Sequence, residues 1–499
     1  MNTSNKEVSV RAFKTLASKL KKSEQKTKDL VAERSELRAE LRVERKNCKR
    51  IAESRDNWKD LAVGRGQEVK VLKKRELRQE NRDKPKRHHY PTWLITLAIV
   101  LRIRCGCSYG SIHKIIEVFQ DNYLELSCEG LEVPHEKTLQ NWVSKVGYFY
   151  LQNVEKQLDY EEVCLITDIT IRVGTEKVFL ALVCPYEKVQ EGDLSYDSVH
   201  VIYLKGAESW TGDKIAAQLG EVLQQKGMKL KYMLSDEGNN LKRSAKLLKT
   251  PHLPDVSHLV ATCLKKSFSK QAAYKDFSKA VNQCQAKLAM GKYSYLRPPK
   301  QRVKARFLNQ QKVVDWAEIL LDKWHTLDEN ALEKLAPIKA HESIIEQLND
   351  CLLLANQIST PLKTKGLNVH TIKKALALLK RKAKKASGIT KTFMSYLKSY
   401  LINYQEFIQQ EKWKDKTVHV CSDIIERLFG CYKAKLSDNY FVAASTIALE
   451  LPLMCLSTSE LTRKVRKALE EVSMTNLKEW KNTQSSDNQS SMRIKFFKK

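Results

Sequence analysis

The chain has 499 residues, more than a single ordinary domain, so three or four units are expected. Hydrophobic residues at 42% and charged residues at 29% leave ample material for cores and exclude wholesale disorder. Lys and Arg number 88 against 58 Asp and Glu, a formal +30. Such a surface repels itself unless a polyanion neutralises it, so nucleic acid is the natural partner, and adherence to anionic surfaces is the alternative.

The twelve cysteines are scattered. A zinc knuckle needs paired ligands, and only Cys105 and Cys107 lie close together, so the cysteines read as reduced residues. No secretory signal opens the sequence, and the apolar run Leu94 to Leu101 is far short of the roughly 20 residues of a membrane span. A cytoplasmic location without membrane contact is expected, nucleoid-associated if the source is bacterial.

Residues 1–85 are rich in Lys, Arg, Glu, Ala and Leu, good helix formers, and contain no proline before Pro85. Steps of seven from Leu16 pass through Ser23, Leu30, Leu37, Glu44, Ile51 and Trp58, and a second row holds Leu20, Leu41, Cys48 and Ala62. This broken seam predicts a coiled coil and a homodimer or higher oligomer; a solvated single helix is the alternative. Residues 1–90 carry 27 Lys and Arg against 14 Asp and Glu, ending in the basic stretch Lys84 to His89 with Lys86 and Arg87, where Pro85 predicts a hinge.

Residues 90–150 read as compact helices, with Trp93, Leu94, Leu97 and Leu101 on one stripe. Helices opening near Ser108 and Pro134 suggest a helix-turn-helix, whose second helix would meet base edges with its first turns; a packing domain without a nucleic-acid role fits equally well.

At residue 160 the period changes to two. Val163 to Ile171, Val178 to Cys184 and His200 to Leu204 read as strands, followed by a helix over Asp213 to Gln225, a strand from Leu230, a short helix over Leu241 to Leu248, and a strand and helix around Pro254. The span 160–268 is thus an α/β sheet domain. Residues 270–415 read as helical, with Trp316, Trp324 and Trp413 and the basic run Lys373, Lys374, Lys380, Arg381, Lys382, Lys384 and Lys385. Trp324 and Trp413 are either core residues or platforms for a flipped base. Residues 416–475 return to amphipathic helices, and 483–499 have the composition of a disordered basic tail.

Asp168 and Asp236 close apolar strands, where an acid can face a cleft while its strand stays buried. Carboxylates converging from neighbouring strands suit Mg²⁺, a hard cation that prefers oxygen ligands. The third candidate is Glu426, two helical turns before Lys433 on one helix face, so that a carboxylate aimed at metal is followed by a cation for the DNA backbone. Asp423, one turn earlier, is the rival ligand or a charge at the helix start. His258, three residues after Asp255, either nears the metal face with it or packs locally while Asp255 caps a helix.

In order, these features resemble the RNase H-like core of DDE transposases from insertion sequences: an Asp in the first strand, Asp-Glu-Gly after the fourth, Asp-x-x-His after the fifth, and a late Glu-x-x-Phe-Gly-x-x-Lys helix. The resemblance covers about 163–266 and 416–450. The Tyr and Arg that precede the glutamate in some families are replaced here by His419 and Ser422. The implied chain is multidomain α/β: an RNase H-like mixed sheet core split by an all-helical insertion, preceded by a helical DNA-binding domain and an N-terminal coiled coil. The resemblance implies two Mg²⁺ (or Mn²⁺) ions on Asp168, Asp236 and Glu426, and DNA, as transposon ends and target, as partner. Lys433, Lys380, Arg381, Lys382, Lys86 and Arg87 would bind it, with His258 and Asp255 as accessories. The implied activity is cleavage at transposon ends and strand transfer. A catalytically inactive or domesticated DNA-binding derivative, and a nuclease acting on RNA or junctions, are the other readings.

Overall fold

The computed structural model describes residues 4–64, 83–122, 132–173, 176–186, 194–301, 307, 310–386, 388–410, 413–436, 446–483 and 496–497. Its contacts divide the chain into two compact units, Met1–Arg82 and Asp83–Lys499. In the first, α1 (Ser4–Gly64) is one helix of 61 residues, roughly 90 Å long at about 1.5 Å per residue. Most of the tail expected over 483–499 lies outside the described residues.

The second unit opens with α2 (Thr92–Ile103), α3 (Tyr109–Asn122) and α4 (Glu136–Gln152). The sheet elements follow: β1 (Glu162–Val173), β2 (Glu176–Pro185), β3 (His200–Ala207), α5 (Gly212–Gln225), β4 (Lys229–Ser235), α6 (Asn239–Leu247), β5 (His252–Pro254) and α7 (Val256–Phe268). A helical block comprises α8 (Ala272–Lys287), α9 (Gln310–Asp322), α10 (Glu329–Lys339), α11 (Glu342–Thr364), α12 (Val369–Ala383) and α13 (Gly388–Gln409). The chain returns through α14 (Asp423–Leu436), α15 (Glu450–Met454), α16 (Thr458–Arg463), α17 (Val465–Glu471) and α18 (Met474–Thr483). Among the described residues no helix is long and apolar enough to cross a membrane.

The sheet order is β3-β2-β1-β4-β5. β3, β2 and β1 pair antiparallel, whereas β4 and β5 join β1 in parallel. Its central strands are apolar on both faces because both faces are covered, so β1 and β2 carry nearly continuous hydrophobic runs in place of the expected alternation. Alternation sends Val163 and Leu165 of β1 to the face carrying α5 and α6, with Phe179, Ile215, Leu219 and Met233. Cys164 and Ile166 point to the other face, joining Tyr232, Leu234, Leu259 and Leu264 in the larger core shared with the helical block. All of these side chains are fully buried.

The helices expected over 90–150 share that larger core rather than standing apart. The first turn of α4 presents His135, Glu136 and Lys137 to solvent, but Leu139, Trp142, Val143, Val146 and Phe149 are buried. A charge network fastens them to the chain's end: Glu450 of α15 accepts from Arg102 Nε (2.8 Å), Tyr109 Oη (2.8 Å) and Lys435 Nζ (2.6 Å). The hinge expected at Lys84–His89 is instead held against α17. Pro85 is buried, Asp83 pairs with Arg466, the Lys86 amide donates to Glu470 Oε1 (3.1 Å), and His88 Nε2 lies 3.3 Å from the Leu469 carbonyl.

Two substitutions test this joint. A Cβ at Gly147 of α4 would lie 1.8 Å from the Leu449 carbonyl oxygen, so Gly147→Ala must push α4 off the turn before α15. The expected loss is about 1–3 kcal/mol in denaturant melts of the full chain. Glu450→Leu strands Arg102 and Lys435, whose side chains are only 8% and 14% exposed, and should cost about 3–5 kcal/mol. Melts indistinguishable from the parent would contradict the packing and the buried network respectively.

Candidate functional site

The site begins with strand register. In the parallel pairing of β1 with β4, Leu165 stands opposite Met233 and Ile166 opposite Leu234. Two residues further on, Asp168 and Asp236 reach the same level, Asp236 just past the end of β4 but Asp168 in the middle of β1, which does not close there as expected and runs on to Val173 against β2. They follow Ile166 and Leu234 in the alternation, so both belong to the face that carries α7 and the helical block. Asp168 Oδ1 accepts from the Ile169 amide (2.6 Å), and Asp236 Oδ1 from the Gly238 amide (2.9 Å). A Cβ on Gly238 would sit 2.8 Å from Asn240 Oδ1 and 2.9 Å from that Asp236 oxygen, so a side chain there would press on the carboxylate.

Glu426 comes from α14. Its Oε1 lies 2.9 Å from His258 Nε2, an imidazole in the first turn of α7. Burial alone would pull the His258 pKa down, but the Glu426 hydrogen bond and the charges of Asp255, Glu426 and Asp236 outweigh it and push it up to about 9. The pair is therefore an ion pair at neutral pH. Asp168 shows the opposite stress: burial first, then the like charges of Asp236 and Glu426, push its carboxyl up to about 6 against relief from the Ile169 amide and His258. Each of the three carboxylates thus has one oxygen anchored, and among the described residues the second accepts no hydrogen bond.

Asp255 and Asp423 occupy a different environment. Asp255 is fully buried and caps α7, its Oδ1 accepting from the His258 amide (2.8 Å) and its Oδ2 from the Ser422 amide (2.5 Å). Asp423 Oδ1 accepts from Ser257 Oγ (3.1 Å), and Oδ2 from Lys363 Nζ of α11 (2.7 Å). Burial alone would raise the Asp423 carboxyl, but Lys363 holds it below its ordinary value. Asp255, Cys421 and Asp423 bring their side chains close enough to share a cation. Both carboxylates there are already filled by donors, however, and Lys363 supplies the positive charge. The cluster is a closed clasp between α7, α11 and α14.

Of the expected DNA contacts, Lys433 is exposed on α14 with its Nζ 5.9 Å from the Phe429 ring centre. Lys380, Arg381 and Lys382 are exposed in the last turn of α12. Lys86 and Arg87 are exposed beside α17. Trp413 is 2% exposed and packs against Phe407 and Tyr232, which makes it a core residue. Trp324 is half-buried, with Lys339 Nζ 6.0 Å from its ring. The sequence reading passed over Tyr400, whose hydroxyl donates to Glu237 Oε2 (2.6 Å) beside Asp236, and over Lys363. One Tyr and one Lys among many in a helical block carry no local signal of such long-range contacts.

No family model and no curated protein matches this chain. Among solved structures it is similar to the Drosophila P element transposase strand transfer complex, at 14% sequence identity and a TM-score of 0.40, over 76% of this chain and 94% of that one. A likeness that slight carries no argument about fold or activity, so the carboxylate geometry bears the weight of the functional reading.

Proposed function

We propose that the chain is a transposase that cleaves phosphodiesters at transposon ends and joins the freed 3′-hydroxyl to target DNA. The observation that carries this reading is that Asp168, Asp236 and Glu426, drawn from β1, the turn after β4 and α14, lie near enough for the charges of Asp236 and Glu426 to act on Asp168. Three carboxylates, each with an oxygen that accepts from no donor among the described residues, would form a hard oxygen donor set suited to Mg²⁺ or Mn²⁺. Bound there, one or two divalent ions would supply Lewis acidity at the scissile phosphate and lower the pKa of the attacking oxygen.

The chain's own residues set the stage. His258 fixes the Glu426 carboxylate through the 2.9 Å contact and partly balances the local negative charge. Lys433, two turns along α14 from Glu426, offers a cation to the DNA backbone. The exposed run Lys380, Arg381 and Lys382 offers a sequence-independent hold on phosphates, as do Lys86 and Arg87. The exposed first turn of α4 could meet bases at the transposon ends.

The decisive assay uses full-length protein, Mg²⁺ and DNA carrying the sequences that flank the coding region. Asp168→Asn, Asp236→Asn and Glu426→Gln should each lower cleavage by on the order of 10³-fold or more, equivalent to about 4 kcal/mol of lost barrier reduction, while end binding persists. Normal cleavage by any one variant removes that residue from the site. Asp423→Asn should instead keep cleavage and lose on the order of 1–3 kcal/mol of stability, since it only opens the clasp with Lys363. If the parent binds its ends but never cuts or joins them, a non-catalytic DNA-binding descendant is the correct description.

A thermal melt gives an independent check. Mg²⁺ at 100 times its dissociation constant should stabilise the parent by about 2.7 kcal/mol through mass action, and this gain should vanish in Asp168→Asn. Without metal, Asp168→Asn should melt no lower than the parent, because it removes a carboxylate crowded by Asp236 and Glu426. A marked loss of stability in that variant would contradict the electrostatic account.

A further inference from the structure

α1 carries a row of apolar side chains that nothing among the described residues of its own unit covers. Leu16, Leu20, Leu30, Leu37, Leu41 and Ile51 are each more than half exposed. They recur at the a and d places of a heptad, with Leu16, Ser23, Leu30, Leu37, Glu44 and Ile51 at d and Leu20, Thr27, Arg34, Leu41 and Cys48 at a. From Leu16 to Ile51 this is about five heptads, or roughly 54 Å of helix, beyond the three to four that a stable coiled coil needs. We propose that this face pairs with α1 of a second copy of the chain as a parallel, in-register coiled coil. The occupant follows from charge complementarity along the edges of the seam.

In a parallel pair each g residue meets the partner's e residue five positions on. Lys19 then faces the partner's Glu24, Glu33 the partner's Arg38, and Glu40 the partner's Arg45, each pair occurring twice by symmetry. The next g residues, Lys26 and Asn47, meet the partner's Val31 and the partner's Ala52, so no like charges are opposed in these layers. Inside the seam Arg34 at a faces the partner's Arg34 and Glu44 at d the partner's Glu44, and each is answered from the edge, Arg34 by the partner's Glu33 and Glu44 by the partner's Arg45. An antiparallel pair could set Arg34 against the partner's Glu44 only by crossing at residue 39. That crossing brings Arg38 towards the partner's Arg38 and Glu40 towards the partner's Glu40, two like-charge contacts at its centre. The edge charges therefore select the parallel arrangement, and register follows from the same pairs.

Cys48, exposed on α1, reports the choice directly. In the parallel pair it meets the partner's Cys48; in the antiparallel one it meets the partner's Leu30. Full-length protein would be treated with diamide, which takes two protons and two electrons from a thiol pair as the disulfide forms, and then run on non-reducing gels beside light-scattering measurements of mass. A dimer in solution with a reductant-reversible crosslink, lost in Cys48→Ser, is the expected result. Leu37→Glu with Leu41→Glu should weaken the dimer at least tenfold while leaving the melt of the second unit unchanged. A monomer at micromolar concentration overturns the proposal. So does a dimer in which Leu30→Cys, paired with the native Cys48, forms the crosslink that two Cys48 thiols do not. Asp168→Asn should crosslink as the parent does, so this outcome is read independently of the cleavage reading.

Discussion

Glu426 stands 190 positions beyond Asp236, and its arrival at the sheet depends on one buried clip. The segment before α14 is bound to the corner between β5 and α7: the Val256 amide donates to the Val420 carbonyl (2.9 Å) and the Ser422 amide to Asp255 Oδ2 (2.5 Å). Tyr232 of β4 holds the same segment from beneath, its hydroxyl accepting from the His419 amide (2.8 Å) and donating to the His419 carbonyl (3.2 Å). Leu367, just before α12, bridges to Val418 in antiparallel fashion, so the strap is fixed on both sides. A buried carboxylate is costly unless it is fully hydrogen-bonded. Asp255 meets that condition only when the strap is in place, because one of its oxygens serves the α7 cap and the other serves Ser422. Capping α7 and holding the strap that leads to Glu426 are the same interaction.

This arrangement explains why some parts of the molecule were legible in the sequence and others were not. The strands announced themselves as short β-rich apolar runs over 163–171, 178–184 and 200–204, and their order gave the α/β character of 160–268. The mixed sheet and the level placement of Asp168 and Asp236 follow from register, which a buried sheet specifies strongly but a single sequence does not print. The competition between Glu426 and Asp423 could not be decided from spacing, since both sit in the first turn of α14. What sets the two apart is their partners, Lys363 on a helix some 60 residues earlier for Asp423 and His258 for Glu426. Asp255 was readable either as a cap or as a metal neighbour, and the structure uses both of its oxygens structurally.

The helical block is more than a spacer between the second acid and the third. α11 contributes Lys363 to the clasp, and α13 contributes Tyr400 to Glu237. Lys242 also bonds Glu237 (2.8 Å), and Lys266 Nζ reaches the Tyr400 hydroxyl at 3.3 Å. The residue next to Asp236 is thus gripped from α6 and α13, which stiffens the turn that presents the acid. Under the proposed reading such support would matter, because displaced metal ligands lose both affinity and geometry.

The two acidic clusters illustrate one electrostatic rule from opposite sides. Asp255 and Asp423 are neutralised from within, by backbone amides, a hydroxyl and Lys363, so an added cation there would have to displace donors already bound. Asp168, Asp236 and Glu426 have only His258 as a cationic partner among the described side chains, and the residual repulsion is visible in the raised Asp168 carboxyl. An uncompensated carboxylate cluster also repels phosphate, so it can serve a polyanion only if positive charge elsewhere draws that polyanion in. The formal +30 of the chain supplies that condition, with its exposed lysines and arginines on α12 and Lys433 on the very helix that carries Glu426. On the proposed reading, the basic exterior and the acidic trio are two parts of one electrostatic requirement.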